Sequence, residues 1–185
     1  MAAWHLRQAV RCLRQGDLLA YPTEAVWGLG CDPLNLKAVL RLLALKQRPV
    51  DKGLILIAAH LADLEPFLAP LHQSVYNRVM ASWPGPVTWL LPAQAWVPVE
   101  LCGAHDTLAV RVTAHPLARE LCESFGGALV SSSANPARRP PARDALRVRR
   151  YFGNRINQLL PGATGGASAP SEIRDGRSGQ VLRPG

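Results

Sequence analysis

Residues 18–33 read Leu-Leu-Ala-Tyr-Pro-Thr-Glu-Ala-Val-Trp-Gly-Leu-Gly-Cys-Asp-Pro, and the fold can be worked out from this stretch outward. Its first four residues are apolar and predict a short buried strand. A hydroxyl, a carboxylate, an aromatic ring and two glycines follow, and glycine lets a backbone approach a ligand closely. Two interpretations of residues 22–30 stay open. They form either a ligand-binding strand exit or a tight strand-turn-strand corner with Trp27 in the core.

Strands and helices alternate along the rest of the chain. Apolar periodicity predicts helices over residues 4–15, 36–45, 61–68, 71–80 and 117–125, with Asn35 capping the second of them. Further strands are predicted over residues 54–58, 87–91, 107–112 and 128–131, and short ones over 158–160, 171–174 and 180–182. The pattern indicates an α/β (α+β) fold with a mixed open sheet, because residues 84–86 and the tail do not suit strict βαβ repetition.

Length and composition predict one soluble domain over residues 1–185. The chain is 48% hydrophobic and 18% charged, which is enough apolar content for a packed core. Its apolar runs fall far short of the roughly 20 residues that a membrane helix needs, and no leader pattern is present. We therefore expect a cytoplasmic protein with no membrane partner. Its four cysteines lack the spacing of a zinc knuckle and are expected to be reduced.

The net charge of +8 is concentrated in one segment. Residues 136–155 hold seven cations and one anion, whereas residues 1–135 hold 11 cations and 10 anions. The segment contains a short helix that Asp144 could cap. The excess of cations in this segment is explained either by a solvated basic face or by an anion-binding patch. Its arginines are Arg138, Arg139, Arg143, Arg147, Arg149, Arg150 and Arg155.

A second cluster of cations lies between a predicted helix end and a strand. Lys46, Arg48 and Lys52 fall within seven residues around Pro49. A cation at a helix C-terminus is often only a partner of the helix dipole. Three together in a rigid loop are better suited to a polyphosphate, because Arg binds two oxygens and Lys adds a point charge.

Small polar residues continue a third apolar strand. Ser131, Ser132 and Ser133 precede Ala134 and Asn135. Their hydroxyl and amide groups could bind phosphate or carboxylate oxygens, although a serine-rich turn is the alternative. Arg111 lies in the apolar strand 107–112 and needs an anionic partner if it points inward, or an edge position if it points to solvent.

Familiar nucleotide and hydrolase motifs are missing from the chain. The five histidines are scattered without metal-ligand spacing. We therefore assign no catalytic histidine and expect no metal ligand from protein side chains.

Six sequence islands in a fixed order carry a family resemblance that runs from about residue 17 to the C-terminus. They are the stretch 21–33 followed by KQRPVDKGLI (46–55), WPGPVT (83–88), LAVRV (108–112), SSSAN (131–135) and PSEIRD (170–175). Together they resemble the YrdC-like family, and within it the short bacterial L-threonylcarbamoyladenylate synthases. The resemblance implies a twisted open sheet with a concave basic face.

The resemblance also implies an activity and its partners. L-threonine, bicarbonate or CO2, and ATP with Mg2+ would give threonylcarbamoyl-AMP and pyrophosphate. Downstream transfer proteins would use the product to modify the adenosine beside the anticodon in tRNAs reading codons that begin with A. Such chemistry depends on holding anions together and needs no covalent nucleophile.

Site residues follow from the resemblance position by position. Lys46 and Arg48 would position the phosphates. The implied ATP site comprises Lys46, Arg48, Lys52, Thr107, Ser133, Asn135 and Arg183, and the implied threonine site comprises Thr23, Ala25, Arg111, Ser131 and Ser171. Trp27 stands where the family often has Tyr or Phe. Ile57 stands where longer relatives can have a threonine-contacting His, so that contact is not transferred.

The competing hypothesis is a non-catalytic module that binds tRNA or rRNA. The basic segment from Arg138 to Arg150 motivates it, and its signature would be binding that weakens steeply with salt. Even if the chain is an enzyme, this segment remains a candidate tRNA contact.

Overall fold

A computed structural model describes residues 2–185 and contains one nine-stranded sheet. Its strands are β1 (Leu19–Pro22), β2 (Trp27–Gly30), β3 (Ile55–Ala58), β4 (Val87–Pro92), β5 (Thr107–Val112), β6 (Leu129–Ser133), β7 (Gln158–Leu159), β8 (Glu172–Asp175) and β9 (Val181–Arg183). The helices are α1 (Ala2–Arg14), α2 (Leu36–Lys46), α3 (Gln73–Met80), α4 (Val99–Cys102), α5 (Pro116–Phe125) and α6 (Ala145–Phe152).

The sheet is mixed, as the sequence predicted. Its strand order is β7-β1-β2-β6-β3-β5-β4-β8-β9. Three neighbouring pairs are parallel, namely β1 with β7, β3 with β5 and β4 with β8, and the other pairs are antiparallel. None of the helices among residues 2–185 is long and apolar enough to cross a membrane.

Helices cover the two faces of the sheet unequally. One face packs against α2, α3, α4 and α6 in the larger core, which includes Trp27 and Trp89. The opposite face packs against α1 and α5 in a smaller core around β1 and Ile57. Beyond that smaller core, the same face of β3, β5 and β6 carries side chains that line a cavity. The incomplete helical layer therefore leaves room for a ligand on the sheet.

Several predicted elements differ from the observed ones. Residues 61–68 form two 3-10 turns, Leu61–Asp63 and Glu65–Phe67, because Pro66 interrupts continuous helical hydrogen bonding. Residues 27–30 form strand β2 and Trp27 is only 2% exposed, so the backbone forms the predicted strand-turn-strand corner. Residues 23–28 of this corner also line the cavity, so the ligand-binding interpretation stays open beside it. Strand β6 continues through the serines to Ser133.

Candidate active site

A cavity of about 440 Å³ lies on the uncovered part of the sheet. Ligand sites commonly occupy about 300–1,000 Å³, so the volume suits a small-molecule site. Its walls come from the β1–β2 turn, the loop after α2, strands β5 and β6, and the C-terminal segment. Ten of the twelve site residues implied by the resemblance line it, namely Thr23, Ala25, Arg48, Lys52, Thr107, Arg111, Ser131, Ser133, Ser171 and Arg183.

Alternation along β5 places Arg111 on the cavity side of the sheet. Thr107, Ala109 and Arg111 line the cavity, whereas the intervening Leu108 and Val110 lie in the larger core. Successive side chains of a strand point to opposite faces, which accounts for this division. Arg111 is therefore inward-facing, and the solvent-exposed edge position considered from sequence is wrong.

Arg111 is paired with a carboxylate that the sequence interpretation did not assign to the site. Its Nη2 lies 3.2 Å from Glu24 Oε2, and the two side chains are 7% and 13% exposed. Glu24 Oε1 accepts hydrogen bonds from Thr113 Oγ1 at 2.7 Å and from the Ala114 amide at 3.2 Å. Burial by itself would raise the pKa of Glu24, but Arg111 and these hydrogen bonds hold that pKa below its usual value. The carboxylate is thus ionised and fixed in place.

Tight local packing fixes the β1–β2 turn that carries Glu24. Thr23 donates from both its amide and its Oγ1 to the Val26 carbonyl, at 3.1 and 2.7 Å. The C-terminal segment crosses this turn, since the Gly165 amide donates to Thr23 O and the Ala167 amide to Glu24 O. A Cβ on Gly165 would lie 3.1 Å from the Glu24 carbonyl oxygen, so glycine allows the close approach.

Hydroxyl groups line the same cavity as Arg111. Ser131 and Ala109 are both register partners of Ile55 on β3, which puts all three on one face. Ser171 is buried and its Oγ lies 2.9 Å from Thr88 Oγ1. These small donors can bind oxygen atoms of a ligand without filling the cavity.

Cations outnumber carboxylates on the cavity wall. Four Arg or Lys side chains and the single carboxylate of Glu24 line it. Burial, and after it the nearby Arg183, lowers the pKa of Arg48. Burial and then Arg111 lower the pKa of Arg183 in the same way. These guanidinium groups repel one another, and an anionic ligand between them would relieve that repulsion.

Arg48 also stabilises the loop in which it lies. Its Nε donates to Gly53 O at 2.9 Å, and its Nη2 donates to Lys52 O at 3.0 Å. Gly53 has a φ of 55° and a virtual Cβ only 2.8 Å from the Leu101 carbonyl oxygen, so only glycine fits there. The loop therefore presents Lys52 and the remaining N–H donors of Arg48 from a fixed backbone.

Lys46 and Asn135 do not line the cavity. Lys46 is 4% exposed, and its Nζ donates to the backbone carbonyls of Ser133 and, at 2.9 Å, Asn135. The side-chain Nδ2 of Asn135 donates to Pro136 O at 3.0 Å and to Arg139 O at 2.8 Å. The Lys46 side chain thus holds the backbone at the end of β6, and the Asn135 side chain holds the loop after it. Direct ATP contacts by both residues stay predictions.

The basic segment forms a separate, exposed surface. Asp144 caps α6 by accepting a hydrogen bond from the Arg147 amide at 2.7 Å, as the sequence predicted. Arg147, Arg149 and Arg150 are exposed, and none has a salt bridge to another described residue. Arg143 instead donates to the Ser168 carbonyl at 2.6 Å.

Comparison with known proteins places this architecture in one family. The family model named for Sua5, YciO and YrdC, whose description reads "Telomere recombination", matches residues 11–185. A threonylcarbamoyl-AMP synthase of Halorhodospira halophila is 60% identical over 180 residues, covering 97% of this chain and 94% of that protein. The Nitrosococcus oceani protein of the same name is 57% identical, with 97% of each chain covered.

Comparison with solved structures leads to the same family as comparison of sequences. P. abyssi Sua5 carrying H234A and Y235A superposes with a TM-score of 0.94 at 33% identity over 100% of this chain. P. abyssi Sua5 complexed with L-threonine superposes with a TM-score of 0.88 at 34% identity over 93% of this chain. This chain spans 57% and 51% of those two Sua5 chains. The resemblance drawn from the sequence islands is confirmed, and the chain belongs to the Sua5/YciO/YrdC family.

Proposed function

We propose that this protein is a threonylcarbamoyl-AMP synthase that joins L-threonine, bicarbonate or CO2, and ATP. The observation that carries the proposal is one cavity in which a buried, carboxylate-paired arginine and three further cations meet small hydroxyl donors. Relatives that are 57–60% identical over nearly the whole chain bear this enzyme name. They favour the synthase over the non-catalytic RNA-binding module.

In the proposed reaction, one set of cavity residues holds threonine and another set holds the phosphates of ATP. The threonine ammonium first loses a proton, and the resulting amine nitrogen forms a bond to the carbon of CO2 and loses a second proton. If bicarbonate supplies the carbon, one of its C–O bonds breaks and water leaves. An oxygen of the resulting carbamate then attacks the α-phosphorus of ATP, and the bond from that phosphorus to pyrophosphate breaks. In this proposal Arg111, Ser131 and Ser171 hold threonine beside the Thr23–Ala25 turn. Arg48, Lys52 and Arg183 stabilise the charge that develops on the phosphates.

Thr107 and Ser133 complete the proposed ATP site as hydroxyl donors on the cavity wall. Lys46 contributes by fixing the β6 end that carries Ser133. Asn135 contributes by fixing the loop that follows β6. No covalent intermediate on the protein is required. Catalysis then consists mainly of positioning two reactants and neutralising charge.

We propose Mg2+ as the companion of ATP. Among residues 2–185 no group of three or more His, Cys, Asp and Glu side chains is arranged to hold a metal. Triphosphate oxygens bind Mg2+ well and leave water in its other positions, so the cavity needs to supply no carboxylate. The bound ion would neutralise phosphate charge.

Pyrophosphate release tests the proposed activity. The purified protein is incubated with ATP, Mg2+ and bicarbonate, with L-threonine, with L-serine or with no amino acid. We expect pyrophosphate only when an amino acid is present, and more with threonine than with serine. Release that is independent of threonine, or no release at all, contradicts the proposal.

We further propose that the basic segment is an auxiliary tRNA contact, and that tRNA-modifying transfer proteins consume the product. Replacing Arg147, Arg149 and Arg150 together by alanine should weaken tRNA binding. It should also make the slope of log affinity against log salt shallower by about two to three, because each lost phosphate contact contributes about 0.9. Pyrophosphate release should not change, since these residues lie outside the cavity.

A matched control is available on α1, where Arg7, Arg11 and Arg14 are also exposed. Replacing these three by alanine removes the same charge at another site. Loss of tRNA affinity in both triple variants would indicate a general charge effect. Unchanged affinity in the α6 variant would mean that this patch is only solvated.

A further inference from the structure

We infer that Glu24 and Arg111 together bind the amino-acid zwitterion, with Glu24 Oε2 accepting from the α-ammonium of L-threonine and Arg111 donating to its α-carboxylate. This inference rests on the proposed function, because it concerns the amino acid that the site takes. It assigns a substrate contact to Glu24, and it explains why an acid stands beside the cations of an anion-binding cavity.

Two buried atoms of the pair have unused hydrogen-bonding capacity. Glu24 Oε2 and Arg111 Nε are buried, and neither has a hydrogen-bond partner among the described residues. Arg111 Nη2 lies 3.2 Å from Glu24 Oε2 without forming a hydrogen bond. Buried polar groups left without partners are costly, and such groups at a cavity wall indicate a ligand. The orphan acceptor and the orphan donor match the two ends of a zwitterion, which one carbon separates.

Neighbouring contacts fix which oxygen of Glu24 is available. Thr113 Oγ1 and the Ala114 amide both donate to Oε1, so that oxygen is already occupied. The Glu24 backbone carbonyl accepts from the Ala167 amide at 3.0 Å, which ties the turn to the C-terminal segment. Oε2 is therefore the free oxygen and is held in advance of binding. A site fixed in this way loses little conformational entropy when the ligand arrives.

Charge decides which ligands the pair accepts. A carboxylate without an amine would satisfy Arg111 but would bring a second negative charge against Glu24. An α-amino acid satisfies both groups. Because Arg111 and the two donors to Oε1 keep the pKa of Glu24 low, the residue suits binding of an ammonium better than removal of its proton. Glu24 is thus a specificity-determining residue.

The test compares two ligands on two proteins by calorimetry. The ligands are L-threonine and 3-hydroxybutanoate of matching configuration, which is threonine without its amino group. We expect the wild-type chain to bind threonine at least about 10-fold more tightly, because a hydrogen bond to a charged group contributes about 1.5–3 kcal/mol. Glu24→Gln, which keeps the size and the acceptor for Thr113, should lose about 10- to 100-fold in threonine affinity. Its affinity for 3-hydroxybutanoate should not fall.

Other outcomes overturn the inference in distinguishable ways. Equal weakening of both ligands would mean that Glu24 only orients Arg111. Unchanged threonine affinity in Glu24→Gln would mean that Glu24 does not contact the amine. If the variant does not fold, the wild-type chain still decides, since comparable affinity for the two ligands contradicts the inference. Absence of threonine-dependent pyrophosphate release by the wild type would instead contradict the proposed function, even if zwitterion binding were observed.

Discussion

Replacing Arg111 by Met should lower kcat/KM for threonine by at least about 100-fold in the pyrophosphate assay. The guanidinium is buried on the cavity wall, and several charge-assisted hydrogen bonds would be lost with it. ATP affinity should change only a few-fold, because Arg48, Lys52 and Arg183 remain. An equal loss of ATP and threonine binding would contradict the assignment of Arg111 to the amino acid.

The same replacement should also destabilise the fold, since it leaves the Glu24 carboxylate buried without its counter-ion. Removing one member of a buried ion pair costs about 3–5 kcal/mol, and access of water to the cavity should place this loss at the lower end. The double variant Arg111→Met with Glu24→Gln is the matched control. Denaturant unfolding should show that it recovers stability, and the assay should show that activity does not recover.

The fold could be predicted where local pattern and tertiary packing agree. Strand β5 was predicted with its observed bounds, because its mostly apolar residues, with β-branched Val110 and Val112, suit a buried strand. The predicted Asn35 cap is confirmed, with Oδ1 accepting from the Ala38 amide at 3.1 Å. Strand β2 was harder to predict, because Gly28 and Gly30 look like a turn. A Cβ at Gly30 would lie only 2.5 Å from the Val130 carbonyl oxygen, so close strand packing determines that residue.

The cationic part of the site could be predicted from the sequence, from two cations in a loop and one in an apolar strand. Arg48, Lys52 and Arg111 line the cavity as expected. Glu24 lies in the first sequence island, but its role could not be predicted, because no residue near it in sequence identifies Arg111 as its partner. That ion pair depends on the register between distant strands, and a single sequence does not show it.

Lys46 has surroundings that its charge alone does not predict. On α2 it continues the buried stripe of Val39, Leu42 and Leu43 at helical spacing, so its side chain enters the protein and not the cavity. The burial of Lys46 could have been predicted from this spacing. The neighbouring Arg48 instead suggested that both residues bind phosphate. A buried lysine and a cavity-facing arginine, two residues apart, therefore have different surroundings.

Replacing Lys46 by Met should consequently act through the fold. Met has a similar length but cannot donate to the carbonyls of Ser133 and Asn135, which lie at the end of β6. We expect a loss of about 1–3 kcal/mol in unfolding free energy, because buried acceptors are left without donors. A drop of about 10- to 100-fold in kcat should accompany it, as Ser133 shifts within the cavity. Lys37→Met, at an exposed position of the same helix, is the control and should behave as wild type.

The difference in unfolding free energy between wild type and Lys46→Met should depend on pH. This dependence distinguishes a structural lysine from a phosphate ligand. Burial, and after it the nearby Arg48, lowers the pKa of Lys46 from 10.5 to about 7. Between these values the folded chain has released the proton while the unfolded chain retains it, so the free energy of unfolding contributed by Lys46 rises with pH. The stability advantage of wild type over Lys46→Met should therefore grow between about pH 7 and pH 9 in urea unfolding. A variant that keeps wild-type stability at both pH values and loses only ATP affinity would instead show that Lys46 reaches the phosphates directly.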